Sequence, residues 1–515
     1  MQLFLALLLI ILSLTGIVDA SYITYQDLTN QIPPCSEEFQ CEKVLTSEYA
    51  AIGPIPVSGL GIVYYLAAFI LAIFHYLQLD LKKLPLLRQL PYPVRALDGL
   101  LVVTATGFLF SIYLVVLMAF IIQGWCLYCL ISAGISTALF IITQLYNWLY
   151  SSHSSFPIKD CWYRLSHWGY KTLSKPLLFL LNPDRVHHAV LALSPHLSAQ
   201  GVFKQKLRWF YHFKHPSLQQ SLAGIPFANP VGLPAGYDYN GDLTDLTPEL
   251  GYGWHTVGTV TFQPYQGNKP PFYTRLPQSE GLIVNKGLKN DGAKAIAQKL
   301  AGKPFKIPTG ISIASTNTSF QSTKEQILDI LQSFIIFETS SVQHSYYELN
   351  ISCPNVFGGE PFTTPQRLES LLSALDKLYL SKPTFIKMPI DQSTQETEAL
   401  LKTITNHQVA GVIFGNLTKD KNNAAITQQE RKIWANSAGN VSGKATFERS
   451  NQLLSLAKKT LPPGMVIIGT GGIFTPADAD RKISLGADLV QLITGSIFEG
   501  PQLVAQINLS LAAKN

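Results

Sequence analysis

Between Gly99 and Ile158 the chain carries no Asp, Glu, Lys or Arg, and near the middle of those sixty residues stands Trp125-Cys126-Leu127-Tyr128-Cys129. One bilayer crossing takes about 20 apolar residues, so the run is long enough for two helical spans that turn near a Cys-x-x-Cys pair. A dithiol at a membrane surface is the first consequence.

Two further uncharged stretches precede it, Leu3 to Val18 and Ile55 to Leu79. The first is followed by Val18-Asp19-Ala20, which has the look of a signal-peptidase site, but no basic region precedes it, and a retained span is expected. Four spans result, forming an all-α transmembrane bundle. Basic loops mark the cytoplasmic side. The connection from Asp80 to Asp98 carries Lys82, Lys83, Arg88 and Arg95, and Lys159, Arg164, Lys171, Lys175 and Arg185 follow the last span. The loop from Ser21 to Pro54 has only Lys43 against Asp27, Glu37, Glu38, Glu42 and Glu48. That loop and the Cys-x-x-Cys turn therefore share the outer face, and everything after the last span lies in the cytoplasm. A formal net charge of +6 with no basic block excludes nucleic acid as a partner.

On this topology Cys35, Cys41, Cys126 and Cys129 fall on the oxidising side, and Cys161 and Cys353 on the reducing side. Two readings of the first four are open. One is a loop staple beside membrane-packed thiols. The other is a relay, in which a loop pair exchanges with a partner thiol and passes electrons to a membrane-embedded pair that meets a lipid-soluble oxidant. No metal site is expected.

The run Cys35…Cys41-Glu42-Lys43-Val44-Leu45-Thr46-Ser47-Glu48-Tyr49-Ala50, with Ile55-Pro56, Gly59-Leu60-Gly61 and the Trp-Cys-x-x-Cys turn, resembles the vitamin K epoxide reductase family over about residues 1–150. Members couple thiol oxidation to quinone reduction. The resemblance implies that Cys126 and Cys129 are the quinone-side pair, Cys35 and Cys41 the shuttle pair, and Ser47 a hydroxyl near the quinone. It also implies a thioredoxin-like partner outside the cytoplasm.

From about Ile158 the composition becomes that of a globular domain. Short apolar runs alternate with helical stretches: Asn229–Ala235, Thr256–Thr261, Pro308–Ile313, Tyr347–Ser352, Thr384–Met388, Gly411–Asn416, Met465–Thr470 and Leu489–Thr494. Eight such runs predict an α/β (β/α)8 TIM barrel, whose chemistry gathers at the strand C-termini. Thr470-Gly471-Gly472 and Thr494-Gly495-Ser496 end the seventh and eighth, where glycines let backbone N–H groups approach a phosphate.

Several motifs of this half resemble dihydroorotate dehydrogenase over about residues 180–510. They are Asn229-Pro230-Val231-Gly232-Leu233-Pro234-Ala235-Gly236-Tyr237-Asp238, Gly258-Thr259-Val260-Thr261, Asn350-Ile351-Ser352-Cys353-Pro354-Asn355, Val441-Ser442-Gly443-Lys444 and Gly469-Thr470-Gly471-Gly472-Ile473. The resemblance implies FMN held by Ala235, Gly236, Thr259, Ser312, Asn350, Lys387, Gly443, Gly471, Gly472, Thr494 and Gly495. It makes Cys353 the base that takes a substrate proton, and Asn285, Asn355 and Asn416 substrate contacts. Leu181-Asn182-Pro183-Asp184-Arg185-Val186-His187-His188 and Phe272-Tyr273-Thr274-Arg275-Leu276-Pro277 resemble the membrane-facing helical extension and quinone tunnel of that family's quinone-linked branch, which implies His187 and Arg275 at a quinone site.

The departures are specific. That branch carries Ser at the base position, where this chain has Cys353. The substrate lysine expected after Asp238 is Tyr239, the asparagine expected three residues before Gly287 is Val284 with Asn285 adjacent, and a hydroxyl expected after Asn416 is Leu417. FMN is thus a firmer expectation than dihydroorotate. The expected organisation is a transmembrane domain at 1–150, a linker and helical extension at 151–220 and an FMN barrel at 221–515. The expected function is a bifunctional quinone-linked oxidoreductase of the cytoplasmic membrane. The alternatives are a barrel acting on another small substrate and a catalytically silent barrel supporting the membrane half.

Overall fold

The computed structural model describes residues 2–29, 31–36, 39–77, 96–150 and 156–514, and the chain divides into two compact units, Met1–Cys161 and Trp162–Asn515. The basic connection bearing Lys82, Lys83, Arg88 and Arg95 lies outside the described residues, as do Glu37, Glu38 and the side chain of Cys161.

In the first unit four helices are long and apolar enough to cross a membrane: α1 (Gln2–Leu28), α2 (Val57–Tyr76), α3 (Ala96–Val116) and α4 (Leu127–Tyr150). The first does not stop at Val18. It runs ten residues further, through Asp19, because no proline interrupts it and its hydroxyls satisfy themselves on the preceding turn. Ser13, Thr15 and Thr24 donate to the carbonyls of Leu9, Ile11 and Ala20 at 2.8, 2.9 and 2.8 Å. Leu9 and Ala20 of α1 meet Tyr65, Ala68 and Ala72 of α2, Leu100 of α3 and Leu139 of α4 in one buried cluster. Close approach depends on glycine, since a Cβ at Gly16 would lie 2.3 Å from the Tyr65 ring and one at Gly107 2.2 Å from that of Tyr64.

The second unit is built on a closed parallel barrel. Its strands are β1 (Val231–Leu233), β2 (Trp254–Val260), β3 (Thr309–Ile313), β4 (Tyr346–Asn350), β5 (Thr384–Met388), β6 (Gly411–Phe414), β7 (Val466–Thr470) and β8 (Leu489–Gln491), closing in chain order. All eight fall within the runs read from the sequence or within two residues of them. Side chains alternate in and out along each strand. Outward residues such as Val257, Ile311, Leu349, Ile386, Val412 and Ile467 pack under the surrounding helices.

Inward residues change character along the axis. At the N-terminal end Trp254, Tyr346, Phe385, Ile413, Ile468 and Leu489 form an apolar plug with Ile225 and Phe227, which come from a hairpin ahead of β1. One step further in, Thr256, Ser312, Glu348, Lys387 and Gln491 are polar and buried. The large rings of the plug need small neighbours. Gly310 is the register partner of Tyr346, and a Cβ there would lie 2.0 Å from its ring.

A second sheet, absent from the sequence reading, stands in the loops. Tyr273–Leu276, Gly281–Val284 and Asn440–Gly443 pair antiparallel, and four residues each are too few to show a period. The helices α5 (Lys175–Leu180), α6 (Pro183–Ala199) and α7 (Gly201–Tyr211) precede the barrel. Asn182 caps α6 by accepting from Asp184 N and Arg185 N at 2.9 and 3.2 Å, with Pro183 in the first turn. Asp184 then accepts from the backbone N–H groups of Phe272 and Tyr273, both at 2.9 Å, fixing α6 to this sheet.

The plug generates a stability prediction. Gly310→Ala forces a methyl against Tyr346, and overpacking of this kind costs about 1–3 kcal/mol. Thermal unfolding of the purified chain, followed by near-ultraviolet circular dichroism, is expected to shift down by several degrees. An unchanged transition would show that the ring can move aside.

Candidate functional site

In the membrane unit α3 ends in a widened turn at Leu117–Ile122 and a left-handed Gln123 (φ 53°), which reverses the chain so that Cys126 and Cys129 stand at the start of α4. The segment before α2 is fastened over this turn. Gln40 N donates to Trp125 O at 2.8 Å, Lys43 Nζ to Gln123 O at 3.0 Å and Tyr128 Oη to Pro34 O at 3.0 Å. Cys35 and Cys41 are joined in a disulfide, whereas Cys126 and Cys129 are free thiols. All four belong to one apolar cluster with Val44 and Met118.

Beside them opens a cavity of about 530 Å³ lined by Cys129, Ser47, Tyr64, Tyr65, Ser132 and mainly apolar side chains. Tyr65 Oη donates to Ser132 O at 2.7 Å, and Ser47 Oγ to Val44 O at 2.7 Å. Of the residues assigned to this half from the sequence, Ser47 and Cys129 reach the cavity wall. Cys126 lies fully buried behind it.

In the barrel unit the strand C-termini enclose a cavity of about 220 Å³. Its wall includes Ala235, Gly236, Thr259, Asn350, Cys353, Asn355, Lys387, Asn416, Gly443, Gly471, Gly472, Thr494 and Gly495, together with His187 and Arg275. The departures Tyr239, Val284 and Leu417 also face it. Two assigned residues do not. Ser312 lies one layer down, and Asn285 is turned away, donating to Lys269 O at 3.1 Å and accepting from Asn268 Nδ2 at 3.0 Å.

The floor is a continuous polar network. Asn350 Nδ2 donates to Thr259 Oγ1 at 2.8 Å, Thr259 and Ser312 share a hydrogen bond at 2.9 Å, and Ser312 donates to Glu348 Oε1 at 2.7 Å. Lys387 Nζ stands 3.6 Å from the same carboxylate. Glu348 was missed in the sequence, although its parity with Asn350 on β4 is the signal that turns it inward. Asn416 Nδ2 donates to Ser352 O at 2.7 Å, and Asn355 Nδ2 to Val284 O at 2.8 Å. Both amides are thus oriented by the wall. Cys353 lines the same cavity, and burial pushes its thiol up to about 11.

At the opposite wall Gly443, Gly471 and Gly472 all have positive φ, at 97°, 94° and 71°, and Ser442 and Thr494 share a hydrogen bond at 2.9 Å. A Cβ at Gly236 would meet no protein atom within 4 Å, so that backbone faces open cavity. Backbone N–H groups at bare glycines, hydroxyls beside them and a buried ammonium across the cavity form a donor set that fits FMN: phosphate at one end, an electron-poor ring at the other.

His187 of α6 sits in the mouth with Nε2 2.9 Å from Tyr237 O and its ring 4.8–5.4 Å from Tyr237, Tyr239 and Tyr273. Burial, reinforced by the charge of Lys286, lowers it to about 3 and keeps it neutral. Arg275 donates to Leu181 O and Phe179 O at 2.7 and 3.2 Å, with its guanidinium over the Phe179 ring.

Residues 217–514 match the dihydroorotate dehydrogenase family and residues 7–144 the vitamin K epoxide reductase family. A dihydroorotate dehydrogenase (quinone) of Trichormus variabilis is 33% identical over 361 residues, covering 67% of this chain and 94% of that protein. One from Gloeobacter violaceus is 33% identical over 344 residues, 66% of this chain and 94% of that protein. Among solved structures, Eimeria tenella DHODH in complex with ferulenol aligns with a TM-score of 0.56 at 21% identity, over 64% of this chain and 90% of that one. The chain belongs to the dihydroorotate dehydrogenase family and carries ahead of its barrel a vitamin K epoxide reductase family domain, so that it is an oxidoreductase fusion.

Proposed function

We propose that the barrel oxidises dihydroorotate to orotate with FMN and quinone, and that the membrane half oxidises thiols outside the cytoplasm and reduces quinone. The observation that carries the first is the single cavity in which Cys353, Asn355 and Asn416 face the Asn350–Thr259–Ser312–Glu348–Lys387 network and the glycine wall. FMN, when bound, supplies the hydride acceptor and hands two electrons on to a quinone. Cys353 takes the proton that leaves the substrate carbon. Asn355 and Asn416 orient the ring from the wall, with Asn285 supporting through Asn268. Lys387 holds positive charge where negative charge grows, and Glu348 keeps that ammonium in place. His187 and Arg275 meet the quinone at the mouth.

In the membrane half the Cys35–Cys41 disulfide shares one apolar cluster with two free thiols, of which Cys129 lines the cavity, and this supports the relay reading over the staple. A partner dithiol, of thioredoxin-like type, reduces the Cys35–Cys41 disulfide and becomes a disulfide itself. Cys35 and Cys41 then reduce a disulfide between Cys126 and Cys129, and that pair passes two electrons and two protons to quinone. After the internal exchange the shuttle is oxidised and the inner pair reduced. Lys159, Arg164, Lys171, Lys175 and Arg185 after the last span support a barrel on the cytoplasmic side.

Three outcomes are expected. A thiol label that cannot cross membranes reaches Cys35 or Cys41 from outside reduced cells, while a tag after Asn515 stays protected. A C-terminal tag open to added protease would overturn both assignments. Cys126→Ala or Cys129→Ala abolishes thiol-dependent quinone reduction, and Cys161→Ala leaves it intact. Full turnover in Cys129→Ala would return the pair to a packing role.

For the barrel, Cys353→Ala is expected to keep FMN and lose roughly 10²–10⁴-fold in flavin reduction by dihydroorotate, followed by rapid-mixing absorbance. The reactive form is the thiolate, and burial raises the thiol to about 11. The wild-type rate should therefore climb about tenfold per pH unit through neutral and mildly alkaline pH with no plateau by pH ~9.5. A plateau near pH ~8 would identify another base.

A further inference from the structure

Tyr239 replaces the cation expected beside the substrate, yet the cavity does hold one that the polar network leaves unused. Lys286 is 9% exposed, lines the cavity and projects its ammonium over three rings. Nζ lies 4.2 Å from the centroid of Tyr239, 4.6 Å from Tyr273 and 5.2 Å from Phe272. Lys289, which also lines the cavity, has its Nζ 5.1 Å from the centroid of Phe272. Neither lysine forms an ion pair among the described residues. The nearby carboxylate of Asp184 spends both oxygens on the N–H groups of Phe272 and Tyr273, while Tyr239 and Tyr273 bond each other through their hydroxyls at 2.5 Å.

A buried ammonium with three ring faces beside it and no ion pair among the described residues is incompletely compensated. Cation–π contact returns about 0.5–2 kcal/mol, well short of the cost of removing a cation from water. Burial, with Lys289 adding to it and Asp184 opposing it, accordingly lowers Lys286 to about 7. An anion entering the cavity completes the pair. The backbone places it suitably, since Asn268 N donates to Lys286 O at 3.2 Å while Asn268 Nδ2 donates to Asn355 O at 3.0 Å, linking this segment to the substrate wall.

We infer that Lys286 binds the carboxylate of the barrel's substrate, the cationic role having moved from position 239 to position 286 with Tyr239 as the ring on which the new cation rests. The inference rests on the proposed oxidation of dihydroorotate and narrows it to substrates carrying a carboxylate on the ring. Uncharged cyclic amides are disfavoured.

The test uses the FMN-loaded full-length chain and equilibrium titration of flavin absorbance with orotate and with uracil, which has the same ring and no carboxylate. Wild type is expected to bind orotate at least tenfold more tightly than uracil. Lys286→Met should weaken orotate by about 10- to 100-fold, the range of one charge-assisted contact, and leave uracil unchanged. Lys286→Gln should follow Lys286→Met, and Lys286→Arg should recover most of the difference. Unchanged orotate affinity in both Lys286→Met and Lys286→Gln would overturn the inference while leaving dihydroorotate oxidation intact. Loss of FMN from both would overturn it too, by assigning the ammonium to the flavin. If wild type neither responds to orotate nor is bleached by dihydroorotate, the parent reading falls and takes this one with it.

Discussion

A carboxylate and an ammonium, Glu348 and Lys387, face each other 3.6 Å apart inside a closed sheet, and the arrangement of the barrel cavity depends on their being there together. Either charge alone would be expensive at that depth, and loss of one partner of a buried pair typically costs about 3–5 kcal/mol. Ser312 shares the burden by donating to the same oxygen, which recruits Thr259 and through it Asn350. Residues from four strands are thereby held in register by polar contacts at the height where apolar packing stops. Below them the plug of Trp254, Tyr346 and Phe385 excludes water, so the network is rigid from beneath and open only towards the cavity.

The membrane half solves a related problem with fewer polar groups. It brings the Cys35–Cys41 disulfide and the free thiols Cys126 and Cys129 into one apolar cluster. A backbone hydrogen bond from Gln40 to Trp125 and a lysine contact to Gln123 hold the segment before α2 on the turn.

Much of this was legible before any coordinates. Short apolar runs alternating with helical stretches revealed the barrel, because strands buried on both sides read as apolar runs, and charge-free length revealed the spans. The cysteine roles and the flavin and substrate contacts were expectations drawn from resemblance to two families. What remained hidden follows from short range and from loops. The antiparallel sheet of Tyr273–Leu276, Gly281–Val284 and Asn440–Gly443 joins segments about 160 residues apart through four-residue strands, and no local period announces it. Asn285 was read as a wall residue by its neighbourhood in sequence, but adjacent residues on a strand point to opposite faces, and the cavity receives Val284 and Lys286 on either side of it. Helix α1 outran its expected end because an acidic residue within an apolar stretch ends a composition pattern without ending a helix.

The carboxylate of Asp184 ties α6 to the sheet at the cavity. It belongs to a helix whose neighbourhood exposes Leu180, Leu181 and Leu193, and it grips the backbone of the strand that frames the cavity mouth. Occupancy of the cavity and attachment of that helix are therefore linked equilibria. A molecule that binds only the assembled mouth raises the work of peeling the helix away by RT ln(1 + [L]/Kd), and by reciprocity a lipid surface that captures the exposed leucines in the docked arrangement tightens the cavity's hold on its occupant.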